Sequence, residues 1–349
     1  MFAYFVTFPA FSFWSVRQRV ENKYKTMVVL TLLQSLATPA ISLYLLFYTN
    51  LRVNAVIWGF LLSQIAFGLF FYIYQFFKGR CFYHKDYWIH ALKFNIPLIP
   101  HYLSLVVLGQ IDRILIGNFN GKDKAGIYSL ATQVAMVISI VIQGINQAFV
   151  PWVYERFKER TFSYVRSQSN MLCILVGVMV FLYMLVSPEI IRIMGTKEYM
   201  DAIWVMPAAG LSVYITFCYG LYSCIEFYYD ATTYVMIATT SGAALSVVMN
   251  MLLLPRFGFI SAGYTSLTCY AFFMMMHYFF QKRICKKTLS INEVFDNRFI
   301  FLSCLALLCF MFVCLILYKH IIIRYTVFVL ILLLVYIKRE KVRIILQYK

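Results

Sequence analysis

Long apolar runs, each bounded by a short polar connection, set the pattern of this chain. They fall near residues 26–48, 53–77, 91–117, 126–148, 170–193, 202–225, 232–254, 258–280, 297–318 and 321–337, and residues 1–15 form one more, incomplete run. A helix needs about 20 apolar residues to cross a bilayer, and helices satisfy their own backbone there. The pattern therefore predicts an all-α integral membrane protein of about 11 transmembrane helices. The connections are too short to hold a soluble catalytic domain.

Polar positions inside the runs carry the next signal. Between 126 and 148, Ser129, Thr132, Gln133, Ser139, Gln143, Asn146 and Gln147 recur mostly at steps of three and four, which aligns them on one helix face. Such a stripe serves either as hydrogen-bonding glue between helices or as the wall of a water-lined cavity. The stretch Gln110-Ile111-Asp112-Arg113-Ile114-Leu115-Ile116-Gly117 places an acid and a base within an apolar run. A charge at the centre of a membrane helix costs roughly 2.5 to 3.5 kcal/mol on insertion scales, so both residues require partners. Asp112 shares a face with His101 and Ser104, whereas Arg113 and Gln110 lie about 100° around the helix. The two charges thus look to different neighbours. Arg113 either meets a ligand in a cavity or snorkels toward the outer headgroups. Pro97 and Pro100 break or bend the start of this helix.

Glu226 and Asp230 are four residues apart and would repel on one helix face. A solvated interfacial pair is the expectation for them, and a site for a coupling ion or proton is the alternative. His84, His90, His277 and His320 have no ligand spacing and are expected to be interfacial or packed.

Composition sharpens this picture. Apolar residues make up 62% of the chain, charged residues 13%, and mean hydropathy is +0.76, far from the roughly 25% charged residues of a soluble domain. The net charge of +17 would suggest nucleic acid in a soluble protein. Here it follows from basic residues on alternate connections: Arg17 to Lys25, Lys78 to Lys93, Arg156 to Arg166, Lys282 to Arg298, and the tail from Lys338. The opposite connections hold only Arg52, Lys122, Lys124, Arg192, Lys197, Arg256, Lys319 and Arg324. The positive-inside rule places the first set, and the C-terminus, in the cytoplasm. The connection Glu226 to Thr233 should also be cytoplasmic yet has no Lys or Arg. Nine cysteines, without CxxC or Cys/His spacing, read as small core residues. No metal site, cofactor or Walker sequence is expected.

An ordered set of motifs then resembles a known family. Ile96-Pro97-Leu98-Ile99-Pro100-His101, "QIDRILIG", "AGIYSLATQVA" from 125, "INQAFVPWVYERF" from 145, "PEIIRIMGTKEYMDAIWVMP" from 188 and "NMLLLPRFGFISAGYTSL" from 250 resemble the polysaccharide (O-antigen and capsule) flippases of the MATE-like exporter superfamily. The resemblance implies a two-lobe bundle with an incomplete first lobe. Residues 1–90 would be the remnant of the N-terminal lobe, a partial helix plus two transmembrane helices. Residues 91–285 would form a six-helix C-terminal lobe, and 286–349 two additional helices with a basic cytoplasmic tail. Against the family's twelve to fourteen helices, the chain reads as N-terminally shortened by about three. It also departs from the pattern at Asp230-Ala231-Thr232, where basic residues are usual, and at Ser246, where Asn is usual.

The implied function is non-enzymatic. Polyprenyl-diphosphate-linked oligosaccharide would be flipped across the bacterial inner membrane by alternating access, for surface polysaccharide biosynthesis. Arg113 would meet the diphosphate or an acidic sugar, with Gln110, Gln143, Asn146 and Gln147 for hydroxyls. Asp112, His101, Pro97, Pro100, Glu226 and Asp230 would be structural or coupling residues. The expected partners are the lipid-linked substrate, the bilayer, and polysaccharide polymerase and assembly proteins, but no nucleic acid. Two rivals remain: a MATE-type drug/cation antiporter, and a membrane-bound polysaccharide polymerase or glycosyltransferase.

Overall fold

A computed structural model describes residues 2–21, 23–52, 54–81 and 83–337; the basic tail expected from Lys338 lies outside them. The apolar runs are helical, and most are single helices. The helices are α1 (Phe2–Val20), α2 (Tyr24–Tyr48), α3 (Asn54–Gly79), α4 (Lys85–Asn95), α5 (Leu98–Phe119), α6 (Lys122–Lys158) and α7 (Phe162–Met194), then α8 (Met206–Tyr228), α9 (Thr232–Phe257), α10 (Ile260–Ile284), α11 (Asn297–Leu317) and α12 (Ile321–Ile337). A 3-10 segment, Lys197–Trp204, joins α7 to α8. Among the described residues, eight spans are long and apolar enough to cross a membrane, with α4 and α5 counted as one: α2, α3, α4–α5, α6, α7, α8, α9 and α11. The chain is a multi-pass membrane protein.

Three of the expected spans fall outside those eight. α1 has 19 residues and α12 has 17. α10 is long, at 25 residues, but carries Ser, Thr, His and Gln along its length, of which Thr265, His277 and Gln281 are buried. The run expected at 91–117 is divided. Residues 91–95 finish α4, and α5 starts after Pro97 (φ −64°, ψ −22°). Proline has no N–H to continue the helix and disfavours helical geometry in the residue before it. Pro100 sits in the first turn of α5, where the missing N–H costs nothing.

Contacts divide the chain into two compact units. One holds the described residues up to Ala91 together with Gln147–Trp152; the other holds Leu92–Asn146 and the chain from Val153. In the first unit α3 packs against both α1 and α2. Glycine makes this possible: a Cβ on Gly68 would reach 2.5 Å from the Thr7 carbonyl oxygen, and one on Gly59 would reach 2.6 Å from Ser42 Cα. Small residues let helix backbones approach where lipid supplies no hydrophobic drive between helices. Polar bonds then fix the register, Gln34 Nε2 donating to Gln64 Oε1 (2.7 Å), Thr38 Oγ1 to Ser63 Oγ (3.0 Å) and Gln75 Nε2 to the Ala10 carbonyl (2.8 Å). Trp14 packs on Phe71 at 4.4 Å between centroids.

In the second unit α8 is the central helix. It packs against α7, α10 and α11 and is buried along most of its length, from Met206 to Glu226. Tyr214 OH donates to Ser303 Oγ of α11 (2.7 Å), and Phe181 of α7 stacks on Phe310 of α11. α9 fits between α5 and α10 because its buried face is small: Thr239, Gly242, Ala243, Ser246 and Asn250. Arg324, expected on an outer connection, belongs to α12 and is 2% exposed. Its guanidinium donates to Glu189 of α7, which also accepts from Tyr325 OH (2.9 Å). The carboxylate across the α7–α12 contact draws the side chain inward.

Candidate functional site

The buried face of α5 presents His101, Ser104, Leu108, Asp112 and Leu115 at helical spacing. It docks on α9, with His101 Nδ1 3.0 Å from Thr239 Oγ1 and Ser104 Oγ donating to Thr240 Oγ1 (3.2 Å). Asp112 is 4% exposed. A carboxylate so buried survives only when its oxygens are satisfied. Oδ1 accepts from Asn250 Nδ2 of α9 (2.7 Å), and Oδ2 accepts from Tyr128 OH of α6 (2.6 Å) and from the Ser266 hydroxyl of α10. One acid thus ties α5 to three helices.

Arg113 turns the other way. Its Nη2 donates to Thr132 Oγ1 of α6 (3.1 Å) and its Nη1 lies 3.5 Å from Gln110 Oε1. Its Nε is buried and makes no hydrogen bond among the described residues. Beside these two charges lies a cavity of about 190 Å³. Four helices wall it: α5 through Gly109, Asp112 and Arg113, α6 through Tyr128, Thr132, Met136 and Ser139, α8 through Ser212, Val213 and Thr216, and α10 through Gly263, Ser266 and Tyr270. Ser212 and Thr216 donate to their own helix, at the Ala208 and Ser212 carbonyls (2.8 Å each). Of the two charged groups on the cavity, the guanidinium is the one with a hydrogen-bonding atom to spare, since both Asp112 oxygens already accept from neutral donors. Water fills roughly 30 Å³ per molecule and pockets for drug-sized ligands run from about 300 Å³. This cavity suits one anionic or hydroxylated group.

The other proposed contacts stand apart from it. Gln110, Gln143 and Gln147 are exposed and Asn146 is half-buried, and none of the four lines the cavity. The α6 stripe divides, with Thr132 and Ser139 on the cavity and the amides one to two turns further along; Gln147 falls in the Gln147–Trp152 segment. Tyr128, Asn250 and Ser266 are site residues that a reading of hydrophobic periodicity passes over. Their signal lies in the motifs "AGIYSL", "NMLLLP" and "SAGYTSL".

Glu226 corrects the expectation of a solvated pair. It is fully buried, and both its oxygens face His277 Nδ1 of α10 at 2.8 and 3.0 Å. Asp230 is exposed and lies beyond the end of α8 at φ +55°, so the two acids do not share a helix face. The partner of Glu226 is 51 residues away, out of reach of any spacing argument. Among the described residues, no group of three or more His, Cys, Asp or Glu is arranged to hold a metal ion.

Residues 1–157 match the family described as polysaccharide biosynthesis protein. Lsg locus protein 1 of Haemophilus influenzae is 34% identical over 126 residues, covering 33% of this chain and 30% of that protein. An uncharacterised membrane protein of the same organism is 26% identical over 156 residues, 42% of this chain and 38% of its own length. The matched stretches thus span about a third of the curated relatives. The crystal structure of a MATE point mutant superposes with a TM-score of 0.55 at 13% identity, over 73% of this chain and 63% of that one. The fold is shared with MATE, and over residues 1–157 the match to a polysaccharide biosynthesis family agrees with the polysaccharide side of the resemblance.

Proposed function

From a MATE-like membrane fold whose first 157 residues match a polysaccharide biosynthesis family, we propose that the protein flips polyprenyl-diphosphate-linked oligosaccharide units across the bacterial inner membrane for surface polysaccharide assembly. The carrier alternates access to its two sides. The observation that carries this reading is the cavity at Arg113, a single buried-side cation among hydroxyls, with Nε unmatched and the neighbouring acid fully engaged. A guanidinium forms charge-assisted and bidentate bonds to phosphate or carboxylate. The cavity's volume fits one such group of the cargo, so the remainder of the saccharide and the polyprenyl tail lie outside it. Moving an anion outward across an inside-negative membrane is favourable by about 2.3 kcal/mol per charge per 100 mV, which supplies a driving force without ATP.

Complementation of a flippase-deficient strain tests the proposal. The native chain should restore surface polysaccharide. Arg113→Ala should lower it by about tenfold or more, the loss of roughly 1.4 kcal/mol in the limiting step, with membrane insertion intact. Arg113→Lys, which keeps charge and loses the bidentate fork, should restore part. Normal polysaccharide with Arg113→Ala would remove Arg113 from the mechanism. A drug/cation antiporter is the second reading, favoured by the MATE fold and by Glu226, a second acid buried in a helix besides Asp112. Drug resistance conferred by the chain, without polysaccharide complementation, would select it.

A further inference from the structure

A second polar cluster of the second unit lies away from the Arg113 cavity, where α8 and α10 approach their ends. Glu226 is 0% exposed and His277 is 1% exposed, with Nδ1 facing both carboxylate oxygens. The Tyr219 ring stacks on the imidazole at 5.3 Å and 14°. On the far side of that ring Nε2 is buried and makes no hydrogen bond among the described residues; the same holds for Gln281 Nε2 one turn on and for Tyr222 OH one turn before Glu226. The imidazole thus keeps one ring nitrogen unmatched while the other faces the carboxylate, the arrangement of a group able to exchange a proton.

The charges around the pair are few. On α8 the next acid is Asp230, exposed beyond the helix end. On α10 Lys282 and Arg283 follow more than a turn later, and Lys286 and Lys287 after them. α5 contributes His101, which is bonded to Thr239. α9 has no charged residue before Arg256 at its opposite end. On the segment leading into α11, Glu293 is paired with Arg166 and Asp296 caps Phe299 N, and Arg298 is exposed. Among the described residues no permanent cation is paired with Glu226, so the pair's own proton count sets its charge. With one mobile proton, as carboxylate and imidazolium or as carboxylic acid and imidazole, the pair is neutral. Without it a net negative charge is buried, which a low-dielectric interior strongly opposes. Release of the proton to water therefore accompanies loosening and hydration of the α8–α10 contact, and uptake accompanies its closure.

We propose that Glu226 and His277 form a proton-binding site whose occupancy sets how firmly α8 and α10 are joined. Both helices also wall the Arg113 cavity, so by linkage the proton and the cavity's occupant influence each other's binding. The site itself stands whatever cargo the carrier moves.

The test uses the purified full chain in nanodiscs, without cargo. Thermal unfolding midpoints are measured from pH 5.5 to 8.5 for the native chain, Glu226→Gln, His277→Gln and the double variant, which keep size and hydrogen-bonding capacity. The native midpoint should fall by about 2–4 °C more than that of the double variant as pH rises, because the joined state binds one more proton than the separated one. The coupling between the two positions should shrink over the same range. A coupling that is constant from pH 5.5 to 8.5 would overturn the site. If the variants cannot be recovered, ¹⁵N-histidine spectra of the native chain decide: ring nitrogens of His277 that change with pH support it, and invariant ones overturn it.

Discussion

A carboxylate held by donors from three helices and a guanidinium held by one hydroxyl respond differently to substitution. Asp112→Asn keeps the shape but replaces an acceptor oxygen with an NH2, which then faces a donor; whichever oxygen is replaced, at least one of Tyr128, Ser266 and Asn250 loses its acceptor. The unsatisfied groups should cost about 1–3 kcal/mol, read as a lowered unfolding midpoint in detergent. Arg113→Ala should leave that midpoint nearly unchanged and act on transport instead. At this scale the sequence is informative in one direction. Asp112 and Arg113 stand out because charge in an apolar run is expensive, and helical spacing separates their faces. The partners of Asp112 lie 16, 138 and 154 residues away, and a helical period specifies which face is polar but not which helix covers it. Glu226 shows the same limit: spacing sets it beside Asp230, a like charge that would leave both solvated, while the fold brings His277 from α10 to it.

Whole helices were more legible, because bilayer thickness imposes a length that composition reveals. The break at Pro97 shortens one run, and α10 is polar in part through the buried Thr265, His277 and Gln281. What the runs do not disclose is how closely helices pack. Gly68→Leu in α3 would push against the Thr7 backbone and should destabilise the first unit by about 1–3 kcal/mol, measured as loss of monodisperse protein on heating. The α7–α12 contact depends on charge instead. Arg324→Leu leaves Glu189 without its guanidinium and should cost about 3–5 kcal/mol, whereas Arg324→Leu with Glu189→Leu should recover much of it. Equal losses in the single and double variants, by the same heating assay, would refute the ion pair as the cause.

Across the molecule, residues that spacing assigns to different jobs become one stack. Along α10, Ser266 meets Asp112, Phe273 fills the next level, and His277 meets Glu226. The level of Phe273 is apolar: Leu108, Ala243 and Cys269 pack with it, Leu105, Met249 and Tyr270 lie against them, and a Cβ on Gly242 would overlap the ring. An apolar layer between two polar ones acts as electrical insulation. On the proton-site proposal above, this layer would keep a proton bound at His277 from passing on to Asp112. Phe273→Ala should open a leak, seen as faster dye-reported acidification of proteoliposomes under an imposed voltage. An unchanged rate would mean that the seal lies elsewhere.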